Sequence, residues 1–348
     1  MSTEDEPLKA LLLPFQDRSL SWPQGRVLFL RARHGWALQQ MDLAGLRCAQ
    51  GFKPLADPLQ AAGVDVVPEL PADEPAAGLV LVLPPRQRDE ARALLARAVA
   101  LAAPGARVVA AVANDEGARS REKDLQQLAG LGGNLAKFHC RVFWTPPLQG
   151  PRDPELAAQW LRGDAVRPLR DGSFHSRPGV FAWDRVDPAS ALLAAHMPAD
   201  LRGRGADLGA GWGYLAREVL ERSPGVTALD LYEAEARALE LARMNLDGAR
   251  VTPGFHWHDV TSGLPRDGYD FIVSNPPFHA HDRGDRPELG QRFIAVAARA
   301  LRPGGRLLLV ANRHLPYEAG MAQAFATRRV LAEAGGFKVI EATKGASR

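Results

Sequence analysis

The sequence predicts an α/β protein of two tandem Rossmann-like domains, each a mainly parallel sheet with helical crossovers. Three observations predict it. Short apolar runs that stop at glycine or proline alternate with stretches in which Ala, Leu and Val recur at helical spacing, the pattern of βαβ units. Two features occur once in each half: Leu81-Val82-Leu83-Pro84-Pro85 answers Val273-Ser274-Asn275-Pro276-Pro277, and Pro104-Gly105-Ala106-Arg107 answers Pro303-Gly304-Gly305-Arg306. Between these halves, only the second has a glycine-rich loop directly after a strand. Two copies of one domain, of which the second alone keeps a polar site, account for all three.

In chain order, residues 1–24 contain the apolar run Leu11 to Phe15 and then Trp22-Pro23, expected to form a packing arm. Arg26 to Leu30 reads as a strand, followed by Arg31-Ala32-Arg33-His34-Gly35 where the second copy has its glycine loop. Gly78 to Leu83 reads as a buried strand, Arg88 to Ala103 as a helix closed by Pro104-Gly105, and Arg107 to Asn114 as the returning strand. Residues 146–164, rich in proline, glycine and charge, are expected to link domains spanning 1–145 and 165–348, with a short helix over Pro154 to Leu161. A hairpin near Arg167 to Phe174 opens the second domain. There a strand from Gly205 breaks into the glycine loop, Tyr214 to Arg222 is helical, Val226 to Tyr232 is a strand and Ala234 to Asn245 an amphipathic helix. Tyr269 to Ser274 is a strand stopped by two prolines, which lack the N–H a ladder needs. Leu289 to Leu301 is a helix and Arg306 to Asn312 a strand.

Composition excludes several classes. At 348 residues and 46% hydrophobic, the chain can bury two cores, yet no stretch approaches the ~20 apolar residues of a membrane span. The acidic, polar start Met1-Ser2-Thr3-Glu4-Asp5-Glu6-Pro7 lacks the pattern of a signal peptide, so a cytoplasmic location is expected. The two cysteines, Cys48 and Cys140, are too few for a disulfide framework and wrongly spaced for zinc, and are read as reduced. A net charge of +3 is weak evidence for nucleic acid, and only six of the 43 basic residues are lysine, a bias attributed to codon composition.

The loop Asp207-Leu208-Gly209-Ala210-Gly211-Trp212-Gly213 carries the chemistry of cofactor binding. Glycine permits the positive φ and the close backbone approach that a ligand needs, and the following helix offers free N–H groups. Dinucleotide folds place G-x-G-x-x-G here. The third glycine arriving one residue early, with an acid two places before the first, favours S-adenosylmethionine, which has no pyrophosphate to cradle. Its ribose needs an acid at the end of the next strand. Asp230 and Glu233 compete for that role, and counting back from the helix Ala238 to Asn245 favours Glu233. Asp259, followed by Val260, falls where a third strand ends and can receive the adenine amino group. The turn Asn275-Pro276-Pro277-Phe278 presents an amide, a carbonyl and an aromatic face from one point, which suits a planar group bearing NH2. His279 and His281 stand beside it. Arg31, Arg33, Arg47, Lys53, Arg119, Arg121, Lys123, Lys137 and Arg141 are candidate phosphate contacts, with solvated faces an equal reading.

The second half resembles a class I S-adenosylmethionine-dependent methyltransferase. The combination of Asn275-Pro276-Pro277-Phe278-His279 with Val310-Ala311-Asn312-Arg313-His314-Leu315-Pro316-Tyr317, and the segment Pro178-Gly179-Val180-Phe181, resembles the family of ribosomal RNA guanine-N2 methyltransferases. The resemblance covers residues 165–348 well and the first 145 in outline. It implies two class I methyltransferase domains with a degenerate N-terminal copy serving RNA recognition or support. It also implies Phe181 at the cofactor, no metal, a monomer, and a guanine N2 in ribosomal RNA as substrate, with 16S rRNA of the small subunit favoured. Asn275 and Pro276 would accept the amine hydrogens and Phe278 would stack on the base. The same turn serves other planar NH2 groups, in 23S rRNA guanine, DNA adenine or protein glutamine. A non-catalytic RNA-binding ribosome-assembly protein is the alternative of a different class.

Overall fold

Seven strands in each half of the chain assemble in one and the same order. The computed structural model describes residues 5–169, 172–277, 287–315 and 317–346, and these divide into two compact units, one up to Val166 with Arg177–Gly179, the other Arg167–Ser176 with the chain from Val180.

The first unit contains helices α1 (Glu6–Gln16), α2 (Trp36–Gln39), α3 (Lys53–Ala61), α4 (Arg88–Ala100), α5 (Ala118–Ala129) and α6 (Pro154–Gly163). Its strands are β1 (Val27–Leu30), β2 (Leu46–Ala49), β3 (Asp65–Val67), β4 (Ala77–Val82), β5 (Ala102–Ala113), β6 (Gly133–Lys137) and β7 (Cys140–Trp144), ordered β3-β2-β1-β4-β5-β7-β6. Strands β3 to β5 are parallel, and β7 runs antiparallel to both β5 and β6. The central strands β1 and β4 are apolar along their whole length because both faces are covered. The expected packing arm is instead the capped helix α1. Asp5 accepts the Leu8 N–H, a proline sits in the first turn, and Leu8, Leu11, Leu12 and Phe15 at helical spacing are buried. Helix α6 lies within the stretch expected to be a linker, and it buries Ala157 and Trp160 in this unit's core. Cys48 and Cys140 are free and buried, and burial pushes both thiols up to about 12.

The second unit opens with the hairpin β8 (Arg167–Pro168) and β9 (His175–Ser176). Then follow α7 (Pro188–Ala195), β10 (Arg202–Leu208), α8 (Tyr214–Arg222), β11 (Gly225–Glu233), α9 (Ala236–Asn245), β12 (Gly254–Trp257), β13 (Tyr269–Ser274), α10 (Pro287–Ala300), β14 (Leu301–Asn312), α11 (Tyr317–Ala324), β15 (Thr327–Ala334) and β16 (Phe337–Thr343). Its sheet runs β12-β11-β10-β13-β14-β16-β15. The Pro-Gly turns do not separate helix from strand as expected. They are absorbed as bulges at matching places: Ala77 pairs with Ala102 but Leu79 with Arg107, and Tyr269 pairs with Leu301 but Phe271 with Arg306. Helices α1 and α7 match too, each capped by an aspartate and packed on corresponding strands, β5 with β7 and β14 with β16.

Strand register gives residue equivalents. Val27–Leu30 lies between β2 and β4 as Gly205–Leu208 lies between β11 and β13, which aligns Phe29 with Asp207, Arg31 with Gly209, Gln50 with Glu233 and Leu83 with Asn275.

Candidate cofactor and methyl-acceptor site

The second unit's site lies along the carboxyl edge of its parallel strands, where ligands of open α/β sheets bind. In the order β12, β11, β10, β13 this edge carries Asp259, Glu233, the loop Gly209 to Gly213, and Asn275. Each strand stops there for a local reason. Gly209, Gly211 and Gly213 all take positive φ, and a Cβ on Gly213 would meet Ala242 of α9 at 3.2 Å. Helix α8 starts straight from this loop, without a side-chain cap.

Glu233 binds the loop. Its Oε2 accepts the Gly211 N–H at 2.7 Å and its Oε1 the Glu235 N–H at 2.7 Å. Asp230, the competing acid, lies inside β11 and is spent elsewhere: Tyr269 Oη donates to it at 2.9 Å, and His256 Nε2 lies 3.0 Å away. Asp207 is fully buried beneath the loop, and neither carboxylate oxygen has a well-formed hydrogen bond among the described residues, the Ala216 amide giving only a weak favourable interaction. Burial, then the nearby Glu233 charge, pushes its carboxyl up to about 8. Burial raises the Glu233 carboxyl as well, opposed by its backbone hydrogen bonds.

Phe181, Gly209, Gly211 and Asn275 line one pocket together with Asp187, Ser190, Trp212 and Tyr214. Phe181 is 67% exposed there, held by its carbonyl, which accepts Trp212 Nε1–H at 3.1 Å. Leu208 and Val260 are buried in the core, so only their backbones can face a ligand. Asp259 caps its own turn, accepting the Thr261 N–H at 2.8 Å and Thr261 Oγ1–H at 2.7 Å through Oδ1, which leaves Oδ2 for another donor. Pro276 is buried and Pro277 exposed. Phe278, His279, His281 and Pro316 lie outside the described residues.

Asp187, Ser190 and Asn245 were not singled out from sequence as site residues. Asn245 Nδ2 donates to Trp212 O at 2.8 Å and His175 O at 3.0 Å, tying the opening hairpin to the glycine loop. Phe174 packs on Trp212 at 4.9 Å between ring centroids. The Asp187-Pro188 pair was a readable N-cap signal, whereas its reach to Asn275 was not.

The first copy has lost this chemistry. Gln50 keeps the geometry of Glu233, accepting the Phe52 N–H at 2.9 Å, but its amide donates to Ala32 O at 2.6 Å. Apolar Phe29 and Leu83 replace Asp207 and Asn275, and Arg31 pairs with Glu90 at 3.1 Å. Several candidate phosphate contacts are likewise internally paired: Arg33 with Asp5, Arg47 with Asp65, Lys53 with Asp57, Arg121 with Asp124 and Arg141 with Glu122. Arg119, Lys123 and Lys137 are exposed. Among the described residues no cluster of His, Cys, Asp and Glu could hold a metal, and no helix is long and apolar enough to cross a membrane.

Residues 171–341 match the family described as methyltransferase small domain. The ribosomal RNA small subunit methyltransferase C of Pseudomonas paraeruginosa is 35% identical over 232 residues, 64% of this chain and 67% of that protein. That of Cronobacter sakazakii is 31% identical over 264 residues, 75% of this chain and 74% of that protein. The ribosomal RNA large subunit methyltransferase G of Streptomyces avermitilis is 34% identical over 220 residues, and the match spans 61% of this chain but 56% of that relative. Among solved structures, the T. thermophilus 16S rRNA N2 methyltransferase in complex with AdoMet and guanosine superposes with a TM-score of 0.80 at 25% identity, covering 98% of this chain and 92% of that one. With its duplicated sheets, glycine loop and Asn-Pro-Pro turn, the chain belongs to the family of the ribosomal RNA small subunit methyltransferases C.

Proposed function

We propose that this chain transfers a methyl group from S-adenosylmethionine to the exocyclic N2 of a guanine in ribosomal RNA, with 16S rRNA of the small subunit as substrate. One observation carries the reading. Asn275 Oδ1 is a buried acceptor that no described donor reaches, and its residue lines a pocket with Gly209, Gly211 and Phe181. An acceptor placed there matches an incoming N–H.

The residues fit S-adenosylmethionine. Glu233 can take the ribose hydroxyls, Asp259 Oδ2 the adenine amine, and the buried Asp207 supplies negative potential for a cation at the loop; Phe181 and the loop backbone form the walls. The cofactor, when bound, supplies an electrophilic sulfonium methyl. Guanine N2 is a poor nucleophile while its lone pair is delocalised into the ring. Asn275 Oδ1 and the Pro276 carbonyl, by accepting its hydrogens, would hold the nitrogen in a geometry that frees the lone pair. The nitrogen bonds to the methyl carbon as the carbon–sulfur bond breaks, the sulfur keeps that electron pair, and one amine proton is released. Phe278 is proposed to stack on the base, which must first leave its RNA stack at a cost of a few kcal/mol. The first domain is proposed to support the RNA. The reaction takes place in the compartment of assembling ribosomes, which for a bacterial chain is the cytoplasm.

Tritiated methyl transfer to 30S subunits, 50S subunits, naked rRNA, DNA and release factor tests this. Label in small-subunit rRNA that maps to guanine N2 is expected, and Asn275→Ala should lower the rate about 100- to 1,000-fold, the scale of losing one preorganised hydrogen bond to the reacting group. Label confined to protein or DNA would overturn the substrate, and no binding of S-adenosylmethionine would favour an assembly protein.

A further inference from the structure

The Asn275 side chain is held from one side only. Its Nδ2 donates to Asp187 Oδ2 at 2.9 Å and to Ser190 Oγ at 2.8 Å. An amide nitrogen carries two hydrogens, so both are committed. Asp187 Oδ2 also accepts the Ser190 N–H at 2.8 Å as the N-cap of α7. That bond fixes the oxygen as an acceptor. Turning the carboxamide over would set its oxygen against the carboxylate oxygen, so the orientation follows from chemistry and is not a free choice between two similar shapes. The remaining polar atom, Oδ1, is then presented as an acceptor with no described donor.

We propose that Asp187 and Ser190 are positioning residues that lock the Asn275 carboxamide with its oxygen toward the methyl acceptor, restricting methylation to a group that brings an N–H to that oxygen. Neither residue needs to touch the substrate. The consequence is selection by polarity: an amine is accepted, while a ring carbonyl offered in its place meets oxygen against oxygen. The proposal rests on the methyltransferase reading above for its consequence, but the lock itself is a property of the unliganded chain. The first copy lacks the lock, since Leu83 replaces Asn275 and the capping Asp5 is paired with Arg33.

Two measurements on the full chain test it. In protein labelled with 15N-asparagine, the Asn275 NH2 protons should exchange slowly with solvent in the wild type and in Asp187→Asn, which keeps an acceptor oxygen. They should exchange at least about tenfold faster in Asp187→Ser with Ser190→Ala, where serine still caps α7 but is too short to reach Asn275. Fast exchange in the wild type overturns the lock. In steady-state methylation of 30S subunits, Asp187→Ser should lower kcat about 10- to 100-fold, the effect of a small misplacement, with the affinity for S-adenosylmethionine and Tm retained and Asp187→Asn restoring most of the rate. Fast exchange with unchanged kcat overturns the catalytic consequence. A wild type that methylates no RNA defeats the functional reading, while the exchange rates still decide the lock; should the double variant fail to fold, Ser190→Ala alone gives the same readouts.

Discussion

Glu233 Oε2 accepts the Gly211 N–H at 2.7 Å, joining the acid that ends β11 to the middle glycine of the loop that ends β10. In the first copy the equivalent acid position, Gln50, reverses the polarity, because its amide donates to Ala32 O, one residue before the place of Gly211. The difference of one side-chain atom, oxygen against nitrogen, decides which loop can offer a carboxylate to a ligand's hydroxyls.

Glu233→Gln should therefore turn the second loop toward the first copy's arrangement. Hydrogen bonds to a charged group contribute about 1.5–3 kcal/mol, so the dissociation constant for S-adenosylmethionine should rise about 10- to 100-fold. Calorimetry measures this directly, and an unchanged constant would move the ribose contact to another residue.

The same comparison predicts a stoichiometry. With Phe29, Gln50 and Leu83 at the places of Asp207, Glu233 and Asn275, the first unit should hold no cofactor. Titration of the whole chain should saturate at one equivalent, and two equivalents would restore a site to the first domain.

Asp207 gives a pH dependence. Its folded carboxyl is raised to about 8, far above the ordinary value of about 4. Between these values the folded chain keeps a proton that the unfolded chain releases, so stability falls as pH rises from about 4 to 8 and levels off above. Asp207→Asn removes that group and should flatten the decline in Tm between pH 6 and 8.5. Parallel curves for the two proteins would show that Asp207 does not titrate there. A cationic ligand at the loop would draw the proton off, and calorimetry at pH 7 in buffers of different ionisation heat should detect its release.

Trp212 stands between the last two glycines of the loop. It is 5% exposed, packs on Phe174 and donates to Phe181 O. Trp212→Ala should cost the second unit about 3–5 kcal/mol in urea unfolding. Trp212→Phe should cost less while losing the Phe181 bond, and equal losses would assign the effect to that hydrogen bond and not to packing.

Much of this fold was legible because glycine and proline carry their own backbone constraints. Pro84-Pro85 and Pro276-Pro277 mark strand ends, and Gly209, Gly211 and Gly213 mark a positive-φ loop, so the duplication and the glycine loop were visible before any coordinates. Helix α1 was missed although Leu8, Leu11, Leu12 and Phe15 have helical spacing, because Pro14 within it reads as a breaker. The choice between Asp230 and Glu233 stayed open from sequence alone, since three residues separate them on one strand.

By itself, then, the sequence determined the two α/β domains and which copy carries the glycine loop and the Asn-Pro-Pro turn, because these depend on local propensity and on spacing along the chain. Only the tertiary structure decided that Asp230 is spent on Tyr269 and His256, that Asp207 lies buried without a strong partner among the described residues, and that Asp187 accepts a hydrogen bond from Asn275, 88 residues away. Hydrogen-bond direction and burial arise from strands and helices meeting in space, and no local pattern encodes which acceptor a distant amide will face.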